Sequence, residues 1–249
     1  MQEGKFNKIA RNNRDIKIEY MLKQKIVVLS GAGISAESGL GTFRDSGGLW
    51  EEYNIEDVAT PDAWDKNPEL VTKFYNMRRK QAFEAKPNKG HLALVDLEKV
   101  FDVTIITQNI DNLHERAGSS KVIHLHGEIS KVKSSGPNSE SKYYPQQNWE
   151  VKIGDLCSDG YQLRPHVVWF GEAVPMLDKA AEICQTADVF IVVGTSLNVY
   201  PAAGLIHYVP EKAKCFLVDP SEVQVPFHFN HIKDIASKGL EQLIQKLKQ

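Results

Sequence analysis

Four short runs in this chain are almost wholly apolar and rich in β-branched residues: residues 25–30 (KIVVLS), 103–107 (VTIIT), 189–193 (VFIVV) and 214–218 (KCFLV). A strand that is apolar at every position must be covered on both faces, which is the condition of a parallel sheet between two layers of helices. The segments between these runs read as helices: residues 68–86, ended by Pro87, then 90–100, 176–186 and 239–247. Residues 121–125 (KVIHL) read as a further strand and 165–170 (PHVVWF) as extended chain. This alternation predicts an α/β fold, a Rossmann-like parallel sheet with helices on both faces.

Polar signals follow three of the strands: Gly31-Ala32-Gly33, Gln108-Asn109-Ile110-Asp111 and Gly194-Thr195-Ser196. In a parallel sheet they all fall at one edge, outside the carboxyl ends of the strands, where open α/β folds bind ligands. Glycines placed there let the backbone approach a pyrophosphate without side-chain clash. The run is not the G-x-G-x-x-G of dehydrogenases, because position 36 is alanine and the next glycine is Gly39. By itself it also fits a tight strand-to-helix turn with no ligand.

At 249 residues, 42% of them hydrophobic, the chain suits one large domain or a domain with a small inserted module. The net charge of −2 gives no sign of a nucleic-acid binder, so a basic partner would have to be attracted by a local acidic rim. No stretch is long and apolar enough for a membrane span, and residues 1–20 lack the apolar run of a signal peptide; they read as an N-terminal extension. Cys157, Cys184 and Cys215 form no C-x-x-C pair, which fits a reducing cytoplasm better than a disulfide framework. Residues 130–162 are polar, hold Pro137 and Pro145 and show no clear periodicity; they read as a small module or long ordered loop set between two strands. A helical part is expected within about residues 45–90.

Five motifs in order resemble the sirtuins: GAGISAESGLGTFRDSGGLW from Gly31, TQNIDNLHERAG from Thr107, HLHGE from His124, VVWFGE from Val167 and GTSLNVYPAAGL from Gly194. The resemblance implies a sirtuin-type domain over residues 21–249 and an NAD-dependent protein lysine deacylase. Such enzymes couple loss of nicotinamide from NAD to transfer of the acyl group from lysine onto ADP-ribose. Acylated-lysine proteins or peptides would be the partners.

The resemblance makes His126 the catalytic base, a role that suits an imidazole because its pKa lies near working pH. His124, two residues earlier, is the alternative on sequence alone. Asn109 and Asp111 would position ribose and nicotinamide, with Gln108 on the ribose; a strand-end turn favours the same residue types. Gly31, Ala32, Gly33, Glu37, Thr42, Phe43, Arg44, Trp50, Ile110, Gly194, Thr195, Ser196, Asp219 and Ala236 complete the implied cofactor site. Phe43 would shield the ribose carbon and Arg44 would pair with phosphate or orient its loop. Asp219 departs from the asparagine often found there, which puts a charge near a phosphate-bearing ligand.

Tyr75 and Arg78, three apart in FYNMRR, share a helix face and resemble the Tyr-x-x-Arg pair of desuccinylase and demalonylase sirtuins. A guanidinium fork and a phenol suit the free carboxylate of an acidic acyl group. A solvated helix face is the plainer alternative. Ala59 would leave the acyl tunnel wide, and Val168, Phe170, Gly171 and Glu172 would offer a backbone edge to an extended peptide.

The family's structural zinc has no matching ligands here. VKSS (residues 132–135) stands where one cysteine pair would be, and only Cys157 precedes Leu163-Arg164-Pro165. Zinc takes about four such ligands, so no metal is expected, and Tyr143, Tyr144, Trp149 and Ile153 are expected to form an aromatic plug in its place. Protein ADP-ribosylation, a non-catalytic NAD-binding role and a hydride-transferring dehydrogenase are the competing functions. The first would share the cofactor loop. The joint presence of His126, Asn109 and Asp111 opposes the second, and the spacing after Gly33 opposes the third.

Overall fold

The computed structural model of the chain describes residues 23–42, 53–137, 143–146 and 148–248. β1 (Lys25–Ser30) is central in a six-stranded, fully parallel sheet. On one side it pairs β2 (Asp102–Thr107), which pairs the short β3 (Val122–His124). On the other it pairs β7 (Val189–Val193), followed by β8 (Lys214–Val218) and β9 (Asn230–Ile232).

Successive residues of a strand face opposite sides, so the apolar runs feed two cores. Val27, Leu29, Phe190 and Val192 pack with α7 (Leu177–Cys184) and a 3₁₀ helix, Ala202–Tyr208. Ile26, Val28, Ile191 and Val193 pack with α5 (Lys89–Glu98) and α8 (Ala236–Leu247). Each such side chain, removed from water, contributes about 1.5–3 kcal/mol. The expected α/β architecture is therefore the observed one. No described helix is long and apolar enough to cross a membrane.

The chain leaves β1 toward β2 on one side and reaches β7 on the other only later. The crevice between the carboxyl ends of β1 and β7 is thus the switch point of the sheet. Two short helices, α1 (Gly33–Ala36) and α6 (Leu113–Ala117), follow β1 and β2 at that edge.

A second core faces the crevice. β4 (Gly127–Ser134), β5 (Tyr143–Pro145) and β6 (Leu163–Val167) make an antiparallel sheet in the order β5-β4-β6. It shares buried side chains with α2 (Ile55–Val58), α3 (Pro61–Lys66) and α4 (Pro68–Glu84): Val58, Ala63, Val71 and Phe74 meet Ile129, Val167 and Trp169. α4 begins where Asn67 Oδ1 accepts from the Leu70 amide at 3.0 Å, with Pro68 in the first turn, where its missing N–H costs nothing. Its buried side is Val71, Thr72, Phe74, Tyr75, Arg78, Arg79 and Ala82.

Three details differ from expectation. β4 runs on into the stretch that has no legible period, because a register shift between Gly127 and Val132 breaks its alternation. β9 is too short and polar to announce itself. Tyr143, Trp149 and Ile153 are exposed and form no plug. Instead, the module is tied to α4 by polar groups. Asn76 Nδ2 donates to the Val151 carbonyl at 2.7 Å, and its Oδ1 accepts from the Val151 amide at 2.9 Å. Arg79 Nε donates to the Ile129 carbonyl at 2.7 Å, and its Nη1 to Trp149 O at 3.0 Å.

Candidate functional site

A cleft of about 380 Å³ opens at the switch point. Its sheet side is two strand-end turns locked together. The Gly31 amide donates to Val193 O at 3.0 Å and the Gly33 amide to Gly194 O at 2.8 Å. A Cβ on Gly31 would lie 2.6 Å from Thr195 Cβ, and one on Gly33 would lie 2.7 Å from Gly194 Cα. Gly194 itself has φ +62°, and a Cβ there would meet the Ile34 amide nitrogen at 2.3 Å. These glycines therefore pack turn on turn, a use that the ligand-centred sequence reading did not include.

Gln108, at the end of β2, bridges to the second turn: its Nε2 donates to Thr195 Oγ1 at 3.2 Å. Asn109 Nδ2 donates to Gly31 O at 3.1 Å and reaches Ser35 Oγ at 3.2 Å. Ser35 Oγ in turn donates to Asp111 Oδ2 at 3.0 Å, and Asp111 Oδ1 accepts from the Leu113 amide at 3.1 Å. Asp111 is buried, and burial raises its pKa against the lowering effect of those hydrogen bonds. Asn109 and Asp111 border a narrow recess beside the cleft that also touches Arg78. Ser35 is a participant that sequence reasoning missed; its place inside the glycine-rich motif was the only signal.

The two histidines separate cleanly. His126 borders the cleft, and its Nδ1 lies 3.0 Å from Gln108 O. A carbonyl only accepts, so Nδ1 carries the hydrogen and the neutral ring keeps its lone pair on Nε2. Burial lowers the His126 pKa, with the Gln108 carbonyl opposing. His124 is committed at both nitrogens, to Asn109 O at 2.9 Å and Glu115 Oε1 at 2.8 Å. Burial lowers its pKa too, but the Glu115 carboxylate outweighs that and the net shift is upward. Of the two, His126 is the one whose second ring nitrogen is left without a hydrogen bond to the described residues.

The opposite wall brings Ala59, Phe74, Tyr75 and Arg78 together with Val167, Val168 and Trp169. Tyr75 and Arg78 are 4% and 9% exposed, so the solvated-face alternative does not hold. Burial raises the Tyr75 pKa; burial lowers that of Arg78, with Tyr75 and Asp111 opposing.

The 167–172 segment differs from a free edge. The Val168 amide donates to His126 O and the Phe170 amide to Ala59 O, both at 2.9 Å. Glu172 borders the cleft, but its carboxylate accepts from Arg164 Nη2 at 2.7 Å and the Trp169 amide at 2.8 Å. Similarly, Glu37 accepts from Ser237 Oγ at 2.6 Å, and Asp219 Oδ1 from the Ser221 amide at 2.9 Å. Of these acidic groups at the cleft, Glu172 is neutralised by Arg164, whereas Glu37 and Asp219 accept from neutral donors and keep their charge.

Ala32, Thr42, Ile110, Gly171, Ser196 and Ala236 also border the cleft, as do Val199, Tyr200 and Pro201, which the sequence reading left without roles. Phe43, Arg44 and Trp50 lie outside the described residues. Among the described residues no group of three or more His, Cys, Asp or Glu side chains could hold a metal ion. Cys157 Sγ is instead 3.4 Å from Ser134 Oγ, so the donors around the lone cysteine do not fit a four-ligand zinc site.

A family model described as the Sir2 family matches residues 31–201. The chain is 53% identical to an NAD-dependent protein deacylase of Bacteroides thetaiotaomicron, over 91% of this chain and 97% of the relative. A solved Sir2 homologue in complex with NAD superposes with a TM-score of 0.81 at 38% identity, covering 91% of this chain and 90% of that one. A Sir2 homologue mutant in complex with ADP-ribose gives a TM-score of 0.83 at 39% identity, covering 91% and 93%.

Proposed function

The chain belongs to the Sir2 family and is an NAD-dependent protein deacylase, and we propose that its acyl range extends from acetyl to the acidic succinyl and malonyl groups. The observation that carries this is the inward placement of Tyr75 and Arg78 on α4, in the same wall as the small Ala59. A guanidinium already drawn out of water meets an arriving carboxylate with little further desolvation, and charge-assisted hydrogen bonds are the strong ones.

When bound, NAD supplies the ribose that receives the acyl group as nicotinamide leaves. The chain's residues orient and deprotonate. His126 Nε2 takes a hydroxyl proton, held in the right tautomer by the Gln108 carbonyl. Asn109, Ser35 and Asp111 form one hydrogen-bonded unit at the recess, suited to holding an amide and a ribose. Gln108, Thr195 and Ser196 present polar groups along the sheet edge. Acylated-lysine proteins or peptides would enter beside Val168, Phe170 and Gly171, whose contribution falls to groups other than the two committed amides. The module is held without zinc, a reading supported by the Asn76 and Arg79 staples. The three free thiols accord with a reducing cytoplasm.

The test compares succinyl- and acetyl-lysine peptides of one sequence, with and without NAD, in wild type, Tyr75→Phe and Arg78→Met. Succinyl release should require NAD, and its kcat/KM should fall about 10- to 100-fold more than acetyl release in Arg78→Met, the worth of a hydrogen bond to a charged group. An unchanged succinyl-to-acetyl ratio in Arg78→Met would mean that the pair does not read the acyl carboxylate.

A further inference from the structure

Beside Tyr75 lies an indole whose polar atom lacks a well-formed partner. Trp169 is 2% exposed, and its enclosed Nε1 makes no hydrogen bond of full geometry with any described residue. Buried donors are almost always paired, so one left open at the wall of a binding cleft calls for a role. The ring is held firmly. Arg164 stacks on one face at 3.6 Å from the ring centre, Trp64 packs against it at 5.8 Å, and the Trp169 amide is fixed by Glu172. In the acyl wall Tyr75 packs beside the indole, with ring centres 6.5 Å apart at a tilt of 40°. Both residues border the cleft.

We infer that Trp169 is a positioning residue for acidic acyl groups: its indole N–H donates to the Tyr75 oxygen when such a group binds, so that the phenol hydrogen is turned to the acyl carboxylate. A phenol oxygen both accepts and donates. Occupying its lone pair from behind leaves one productive direction for its hydrogen and strengthens the bond that the hydrogen makes. Because Nε1 is enclosed, its N–H acts through Tyr75. The juxtaposition also shows in the phenol's titration: burial raises the Tyr75 pKa, and side-chain hydrogen bonding toward Trp169 is the largest influence opposing it. The inference rests on the proposed acceptance of succinyl and malonyl groups.

The experiment is a double-mutant cycle on the succinyl-to-acetyl ratio of kcat/KM, using wild type, Trp169→Phe, Tyr75→Phe and the double variant. Phenylalanine keeps an aromatic ring for Arg164 and Trp64 and removes the N–H. The ratio should fall about 3- to 10-fold in Trp169→Phe, the worth of one neutral hydrogen bond, with the loss carried mainly by KM for the succinyl peptide. In the Tyr75→Phe background the same change should have no further effect. An unmoved ratio overturns the inference, and so does an equal loss in both backgrounds, which would mean that the indole acts independently of the phenol. A wild type that releases acetyl but no succinyl overturns the acyl range and this inference with it. A wild type that releases succinyl with an unmoved Trp169→Phe ratio overturns the inference alone. Should Trp169→Phe not fold, benzothienylalanine at position 169, which replaces N–H by sulfur at nearly constant shape, carries the same expectations.

Discussion

Replacing Gly33 by alanine isolates the contact that holds the two strand-end turns together. The backbone of Gly33 begins α1, where alanine is at ease, so conformational strain does not confuse the outcome. The new Cβ would sit 2.7 Å from Gly194 Cα and 2.9 Å from its carbonyl oxygen, whereas ordinary contact begins near 3.4 Å. Both neighbours are backbone and cannot swing aside, so the turns must part by about 0.7 Å. The 2.8 Å hydrogen bond from the Gly33 amide to Gly194 O would then be stretched to the limit of useful geometry. Overpacking of this kind costs about 1–3 kcal/mol and the weakened bond about 1 kcal/mol more. For a chain of this size that lowers Tm by about 5–15 °C. Thermal unfolding with and without NAD, together with KM for NAD, provides the assay. Gly204→Ala, where nothing lies nearer than 4.0 Å, is the control and should leave Tm within a degree or two. If Gly33→Ala melts with the wild type and binds NAD equally well, the turns are not locked as described.

Burial lowers the His91 pKa to about 4, and burial also holds His114 well below its ordinary value. An unfolded chain takes up these protons near pH 6.5 and the folded one does not, so stability falls as pH drops from about 6.5 toward 4. His91→Gln should flatten the slope of Tm between pH 7 and 5; an unaltered slope assigns the effect elsewhere. Because burial also lowers the His126 pKa, the acid limb of kcat/KM should fall below the titration of free imidazole, and a limb centred above pH 7 would contradict its role as the neutral base. Metal analysis of purified protein should find zinc far below one equivalent, and a chelator should leave Tm unmoved; stoichiometric zinc would refute the metal-free module.

The large sheet was legible because its strands are apolar at every position and carry their own end signals. The same reasoning failed on the small sheet, where the bulge in β4 and half-buried Lys131 and Glu128 hide the alternation. Tyr75 and Arg78 are marked as a pair by the family resemblance, and spacing puts them on one helix face, but their burial is not legible, since the adjacent Asn76 and Arg79 look like solvent-facing groups. Those two instead staple the module, a long-range arrangement that no local pattern encodes. The family resemblance picks His126 over His124, but the physical reason lies in partners remote in sequence, Gln108 for one and Glu115 for the other. Asp219 and Glu37 were visible as acids near the cofactor motif, while their engagement by Ser221 and Ser237 was visible only in three dimensions.

The central claim is best tested by following one turnover by mass spectrometry, with an acyl-lysine peptide, NAD, and wild-type or His126→Ala protein. Wild type should yield deacylated peptide, nicotinamide and O-acyl-ADP-ribose in equal amounts, and His126→Ala little of any acyl transfer product. Deacylation that proceeds without NAD, or that survives intact in His126→Ala, would contradict the claim.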